Sequence, residues 1–260
     1  MCEKGNVPEF LVFYQNLLVY NIKERRVMLK IGKDNDITRN IWLKKKLNSI
    51  KGGLRILDAG AGELKNKPLC EHLIYTSQDF SQYSGKGDNR GLQTGEWDTS
   101  KVDIVSDICD IPCKSSSFDV ILCSEVLEHV HNPIAAVREL DRLLVVGGKL
   151  IITAPFRSMT HFSPYHYCDG FNKYFYEKQL TNYDIIEITA NGNFFDTFAE
   201  QLRLLPRIGR KYSIFSLSLV MYLWALPIYI LLPILKMFDK GSNEISTYGY
   251  FVVAQKKYAI

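Results

Sequence analysis

A chain of 260 residues, 47% hydrophobic and 23% charged, is long enough to bury a sheet with helices on both faces, which excludes wholesale disorder. Its 32 basic and 28 acidic residues leave a net charge of +4, too mild a balance to predict nucleic-acid binding. Local basic clusters occur at Lys44, Lys45 and Lys46 and again at Arg203, Arg207, Arg210 and Lys211, the first reading as a solvated helix face. Six cysteines are too few for the disulfide framework of a small secreted domain, and they suit the cytoplasm as free thiols. Cys109 and Cys113 have no second Cys or His pair at zinc-site spacing. The N-terminus carries acidic Glu3 ahead of its apolar run, with no basic lead, so no signal peptide is expected.

In chain order, residues 1–50 have apolar positions at helical intervals (Leu11, Tyr14, Leu18, then Val27 and Ile31) and predict a helical cap. Lys51-Gly52-Gly53 is the linker into the next element. Apolar runs at 54–58, 72–76, 102–105, 118–123 and 149–154 then alternate with longer amphipathic segments, the α/β pattern of a parallel sheet with crossover helices. Pro133 to Leu144 reads as a helix with Asn132 as N-cap, proline at its first position, and Gly147 and Gly148 as its stop. Asp184 to Thr189 and Thr247 to Lys256 read as two further strands.

The first strand ends in Asp58-Ala59-Gly60-Ala61-Gly62, where an apolar run meets a carboxylate and a glycine turn open to close backbone approach. Asp79 follows 21 positions later, at the end of the second apolar run, where it can accept from both hydroxyls of a ribose. A dinucleotide fingerprint needs a third glycine where this chain has Lys65, and a diphosphate is repelled by Asp58 and Glu63. A cationic nucleoside suits the site better.

Asp58-x-Gly60-x-Gly62 resembles the first motif of the class I S-adenosylmethionine-dependent methyltransferases (methyltransferase type 11-like), and the likeness continues in order over about residues 50 to 192. Asp107-Ile108-Cys109-Asp110-Ile111-Pro112 is similar to the family's adenine segment. Phe118 to Cys123 looks like its fourth strand, Ser124 to Val130 like the segment below the cofactor and methyl group, and Leu143 to Ile152 like the turn into strand five. The resemblance implies a Rossmann-like, doubly wound, seven-stranded and mostly parallel sheet with an antiparallel last strand. It implies S-adenosyl-L-methionine as cofactor, with Asp58 near its amino-acid end, Asp79 at the ribose, Asp107 and Ile108 around the adenine, and Gly60 and Gly62 giving backbone approach. Ser124 and Glu125 line the floor. The expected domains are the cap, 1–50, and a methyltransferase domain, 51–260, interrupted by an apolar helical insertion at about 196–240.

Glu125, Glu128 and His129 share one face if a helical turn begins there, and could hold a divalent ion. Glu-x-x-Glu-His resembles the arrangement in some metal-assisted O-methyltransferases, including small-RNA 2'-hydroxyl and quinone-precursor enzymes. The same letters occur in relatives without a metal, where the histidine serves as base or wall, and no metal ion is assigned. His129, His161 and His166 are the candidate catalytic groups, the last two from a loop, 155–170, rich in His and Tyr. Tyr165, Tyr167 and Phe171 could stack on an acceptor ring or form an apolar lid.

From Tyr212 to Leu235 no residue is charged, and Arg203, Arg207, Arg210, Lys211, Lys236 and Lys240 flank the stretch at its two ends. With Pro227 and Pro233 inside it and a further strand after it, it predicts a re-entrant or interfacial element on the inner face of the membrane, the alternative being a buried helical pair or a dimer contact. The expected activity is O-methylation of a glycan, lipid-linked saccharide or other amphipathic acceptor; alternatives are a quinone or lipid-precursor methyltransferase and a non-catalytic cofactor-binding scaffold.

Overall fold

The computed structural model describes residues 31–258, so most of the expected N-terminal cap lies outside the described residues. Seven strands form one sheet: β1 (Arg55–Ala59), β2 (Ile74–Asp79), β3 (Ile104–Val105), β4 (Phe118–Ser124), β5 (Leu144–Pro155), β6 (Tyr183–Asn191) and β7 (Gly249–Lys256). Their spatial order is β3-β2-β1-β4-β5-β7-β6. The first five run parallel, and β7 lies antiparallel between β5 and β6, in register from Lys149 opposite Gln255 to Pro155 opposite Gly249.

Both faces of the central strands are apolar because both are covered. In β1, Leu57 and Ala59 enter one core with Ile121 and Ile152, while Ile56 enters the other with Val120, Leu122 and Ile151. Helix α1 (Asn35–Asn48) seals the second face through Leu43 and Leu47. It is pinned where Trp42 donates to Glu187 and stacks on Phe251 at 4.9 Å.

Helix α2 (Pro133–Leu143) drives Ala136, Val137, Leu140 and Leu143 into the first core. Asn132 Oδ1 accepts from the Ala135 amide at 3.1 Å, satisfying an otherwise orphaned helix donor. Gly147 and Gly148 do not stop this helix: extended backbone at Leu144 does, and the glycines lie inside β5. There Leu144 pairs with Phe118 and Lys149 with Val120, so the residues between bulge out, and Gly147 supplies the positive φ the bulge requires. Helix α3 (Lys173–Gln179) buries Tyr176 and follows the loop after β5.

By their contacts, Asn35–Phe194 and Gly241–Ile260 form one compact unit, which contains the whole sheet and α1. The second unit comprises Phe195–Lys240 with the described residues before Asn35, and holds helices α4 (Phe194–Tyr212) and α5 (Phe215–Met237). Its small core is Ile31, Ala199 and Leu232 with Phe195, Phe198, Leu202 and Tyr229 around them. The five described cysteines, Cys70, Cys109, Cys113, Cys123 and Cys168, are all free. Replacing Asn132 by alanine is expected to lower the unfolding free energy by about 1 kcal/mol, read as a lower urea midpoint with an unchanged slope.

Candidate active site

The strand order reverses between β1 and β4, and in open parallel sheets the crevice beyond the carboxyl ends at such a point is where ligands bind. β1 delivers the glycine turn there. Gly60 (φ +74°) and Gly62 (φ +50°) adopt left-handed backbone, which lets the chain fold back over β2. The Gly60 and Ala61 amides both donate to the Gln78 carbonyl at 2.8 Å. The Gly62 amide donates to Asp79 Oδ2 at 2.9 Å, and the Ser81 amide to Asp79 Oδ1 at 2.8 Å. Asp79, only 7% exposed, thus gathers the turns after β1 and β2 onto a single carboxylate. The glycines also admit side chains: a Cβ at Gly62 would come within 2.6 Å of the Trp97 ring, and one at Gly60 would overlap Val126.

Asp58 lies beneath the turn, fully buried. Its Oδ2 accepts from the Tyr75 hydroxyl at 2.8 Å, and Asn66 supplies a further side-chain bond. Burial pushes its carboxyl up to about 6 against those bonds, and the nearby charge of Asp79 adds to the rise. Asp107 stands exposed beyond β3, its Oδ1 accepting from the Cys109 amide at 2.8 Å. Its neighbour Ile108 is buried in the first core. Gln78 Nε2 holds this segment through the Ser106 carbonyl at 2.7 Å.

At the end of β4, the Ser124 and Thr153 hydroxyls lie 2.8 Å apart. Glu125 has a left-handed φ of +57°, which swings its side chain away from the residues that follow. Its Oε1 accepts from Thr153 Oγ1 at 3.0 Å, and its Oε2 pairs with Arg39 at 2.8 Å. Glu125, Glu128 and His129 therefore do not share a face: a single 3-10 turn, Leu127–His129, carries the last two, and Glu125 belongs to another network. Arg39 is a site residue that sequence reasoning missed, since one arginine beside Asp36 on a helix resembles any solvated i,i+3 pair.

His129 joins His161 and His166 instead. The ring centroids lie 4.6 Å apart for His129 and His161, 5.9 Å for His129 and His166, and 4.8 Å for His161 and His166. His129 Nδ1 is 2.6 Å from the Tyr165 carbonyl, which only accepts, so Nδ1 carries the proton and Nε2 keeps a lone pair. Burial, reinforced by His161, lowers the His129 pKa to about 3 and keeps the ring neutral. Burial also lowers His166. Glu128 is raised well above the ordinary carboxyl range, by burial first and by Glu125 second. Among the described residues its Oε2 is buried without a hydrogen-bond partner, while Oε1 lies 3.7 Å from His129 Nε2. One ligand atom each from Glu128, His129 and His161 falls within 4.8 Å of the others, so these three, without Glu125, could hold a divalent ion.

Aromatic side chains wall this cluster. Phe162 stacks on His129 at 4.9 Å and on Tyr83 at 4.3 Å, with Trp97 against its edge at 5.0 Å. Tyr165 packs edge-on to Phe80, and Tyr167 to His131. Phe171 is a core residue against Phe175, and does not line a lid.

The family model described as "Methyltransferase domain" matches residues 57–152, from β1 into β5. A 50-residue stretch is 42% identical to a ubiquinone biosynthesis O-methyltransferase of Xanthomonas oryzae pv. oryzae, covering 19% of this chain and 21% of that protein. Another of 49 residues is 45% identical to an uncharacterized protein of Methanocaldococcus jannaschii, over the same shares of the two chains. The alignments thus span about a fifth of the length of these curated relatives. Among solved structures, a proposed sarcosine dimethylglycine methyltransferase from Galdieria sulphuraria superposes with a TM-score of 0.52 at 12% identity, over 86% of this chain and 87% of that one.

The unfolded chain takes up a proton at His129 near its ordinary 6.5, whereas the folded chain refuses it until about pH 3. Stability from this group is therefore present above pH 6.5 and is lost as pH falls toward 3. His129→Gln is expected to reduce the acid-induced loss between pH 7 and pH 5 by about 2 kcal/mol at most, as read by urea titrations of both proteins at each pH.

Proposed function

We propose that this chain, a class I S-adenosylmethionine-dependent methyltransferase, transfers the cofactor's methyl group to a hydroxyl of a glycan, lipid-linked saccharide or other amphipathic acceptor. The observation that carries the site is Asp79. Each of its oxygens takes one backbone amide and retains acceptor capacity, at the strand tip beside the glycine turn and at the reversal of the sheet. In this reading Asp79 holds the ribose hydroxyls, Gly60 and Gly62 let the nucleoside approach the backbone, and Asp107 with Ile108 borders the adenine. Asp58 acts from beneath, holding the turn. Arg39 and Glu125 form a pair of opposite charges at the tip of β4, matched to the carboxylate and ammonium of the cofactor's amino-acid end. Ser124 buttresses Glu125 through Thr153.

Transfer is an in-line displacement: the acceptor oxygen bonds the methyl carbon as the carbon–sulfur bond breaks, and S-adenosylhomocysteine leaves. The protein contributes alignment and a path for the hydroxyl proton. His129, neutral with its Nε2 lone pair fixed by the Tyr165 carbonyl, accepts a hydrogen bond from the acceptor hydroxyl. An imidazole so hard to protonate orients better than it stores a proton, and the partly exposed His161 and His166 beside it line the path by which the hydroxyl proton leaves to solvent. The Tyr83, Trp97 and Phe162 wall keeps water from the transfer.

The partnerless Glu128 Oε2 favours a second reading of the same cluster, in which Glu128, His129 and His161 hold a divalent cation. Such an ion supplies a lowered pKa at a bound hydroxyl. The short stretch shared with the ubiquinone biosynthesis O-methyltransferase supports a quinone or lipid-precursor acceptor as the alternative substrate class. Either acceptor class fits an enzyme on the cytoplasmic side of a membrane, touching it through residues 212–235.

Titration calorimetry with S-adenosylhomocysteine is expected to give saturable heat for the wild type, and at least a tenfold weaker affinity for Asp79→Asn, since hydrogen bonds to a charged group contribute about 1.5–3 kcal/mol. Equal affinities would remove the basis of the assignment. Turnover on extracted lipids against nucleotide sugars separates the acceptor classes, and cofactor binding with no turnover on either marks a scaffold. If the second reading holds, EDTA abolishes methyl transfer, a divalent metal restores it, and His161→Ala needs more metal; activity indifferent to chelation leaves the histidines to act alone.

A further inference from the structure

Helix α5 has 23 residues, and only Ser218, Leu232 and Pro233 are buried. Trp224 is 81% exposed, and Leu223, Ile228, Ile230, Leu231 and Ile234 are exposed with it. A helix that docks on a protein in water keeps a polar stripe toward the solvent. α5 has none: among the described residues it is seated on α4, where Gly209 admits Ser218 at close approach and Leu232 meets Ala199, and its Tyr229 hydroxyl donates to the Ile31 carbonyl. Every remaining side therefore calls for an apolar solvent, and the exposed surface exceeds what a soluble protein leaves bare without a use.

At 1.5 Å per residue α5 extends about 35 Å, enough to cross a bilayer, yet the topology forbids a crossing. β7 hydrogen-bonds to both β5 and β6, so the chain must return to the side it left. The two ends of the segment meet, because the Phe194 amide donates to Ser242 Oγ at 3.3 Å. They are clasped again within the helical unit, where Lys236 Nζ lies 2.6 Å from buried Asp196. If α5 crossed, α4 would have to cross as well, carrying Asp196, Glu200, Arg203, Arg207, Arg210 and Lys211 through the hydrocarbon, at several kcal/mol for each charge.

The cations instead mark a headgroup plane at both ends of the apolar helix. At the α4–α5 turn Arg210 lies 4.9 Å from the Phe215 ring centroid, and Lys211 lies 5.1 Å from that of Tyr212. Lys236 and Lys240 stand at the other end. Basic side chains paired with aromatic rings at the edge of an apolar segment suit the boundary between anionic headgroups and acyl chains. We infer that α4 and α5 form a monotopic insert: α5 lies along the plane of one leaflet, immersed among the acyl chains, with α4 at its back and both cationic ends among anionic phospholipid headgroups. This deepens the membrane contact proposed above by naming the partner and excluding a span, but is argued from the two helices alone, whatever the acceptor.

The test is flotation of the full chain with vesicles of phosphatidylcholine with or without phosphatidylglycerol, beside the emission of its tryptophans. The protein is expected to float with the anionic vesicles, several-fold less with phosphatidylcholine alone, and to show a blue shift that Trp224→Phe removes. Leu223→Asp combined with Leu231→Asp, both on exposed positions, is expected to reduce flotation at least tenfold while S-adenosylhomocysteine binding persists. A wild type that stays at the bottom of a low-salt gradient overturns the inference, whether a second copy or another segment of the chain covers α5. So does flotation that the paired aspartates leave unchanged. Calorimetry on the same preparation separates the two readings: flotation without cofactor heat sinks the methyltransferase site alone, and heat without flotation sinks the insert alone.

Discussion

One carboxylate holds the two loops on which the site depends. Asp79 receives the Gly62 amide on one oxygen and the Ser81 amide on the other, with almost no exposure to water. Charge-assisted bonds of this kind are stronger than neutral ones and fix direction as well as distance. Beside them the glycine turn after β1 is held by the Gln78 carbonyl and, more weakly, the Gln78 side-chain oxygen. The same carboxylate thus sets the conformation of the turns after both β1 and β2.

Desolvation sets the chemistry around that crevice. Burial keeps His129 neutral, raises Glu128 and lifts Asp58 to about 6, three shifts that each favour the uncharged form. Glu125 turns to Arg39 and forms an ion pair with it at 2.8 Å. Opposite tendencies thus stand side by side: a fixed charge pair at the tip of β4 and a neutral cluster beyond it.

The helical unit sorts its apolar side chains differently. In the sheet-bearing unit apolar side chains are sorted into two cores, one on each face. In α5 they point outward on every side that α4 does not cover. The clasp between Lys236 and Asp196 closes the base of the helix pair, so the segment leaves and re-enters the sheet at one place without disturbing β7. An apolar surface is in this way added in the connection between β6 and β7 while the sheet stays continuous.

Much of this was legible in the residues because it is local. The apolar runs of Arg55–Ala59 and Phe118–Ser124, the proline and Asn132 cap of α2, the glycine turn and an acidic residue at the tip of β2 all depend on neighbours a few positions away. Gly147 and Gly148 misled for the same reason: two glycines after a helix read as a stop, whereas the bulge that needs them is defined by pairing with β4. The partnership of Arg39 with Glu125, the turning away of Glu125 from Glu128, and the meeting of His129 with His161 join groups separated by tens of residues, and no periodicity encodes them. The sequence by itself determined the sheet, the turn and an uncharged helix with basic ends. Only the tertiary structure decided which acids are paired, which are buried and that the apolar helix is returned to the sheet it left, since burial and chain return are properties of packed elements and not of residue order.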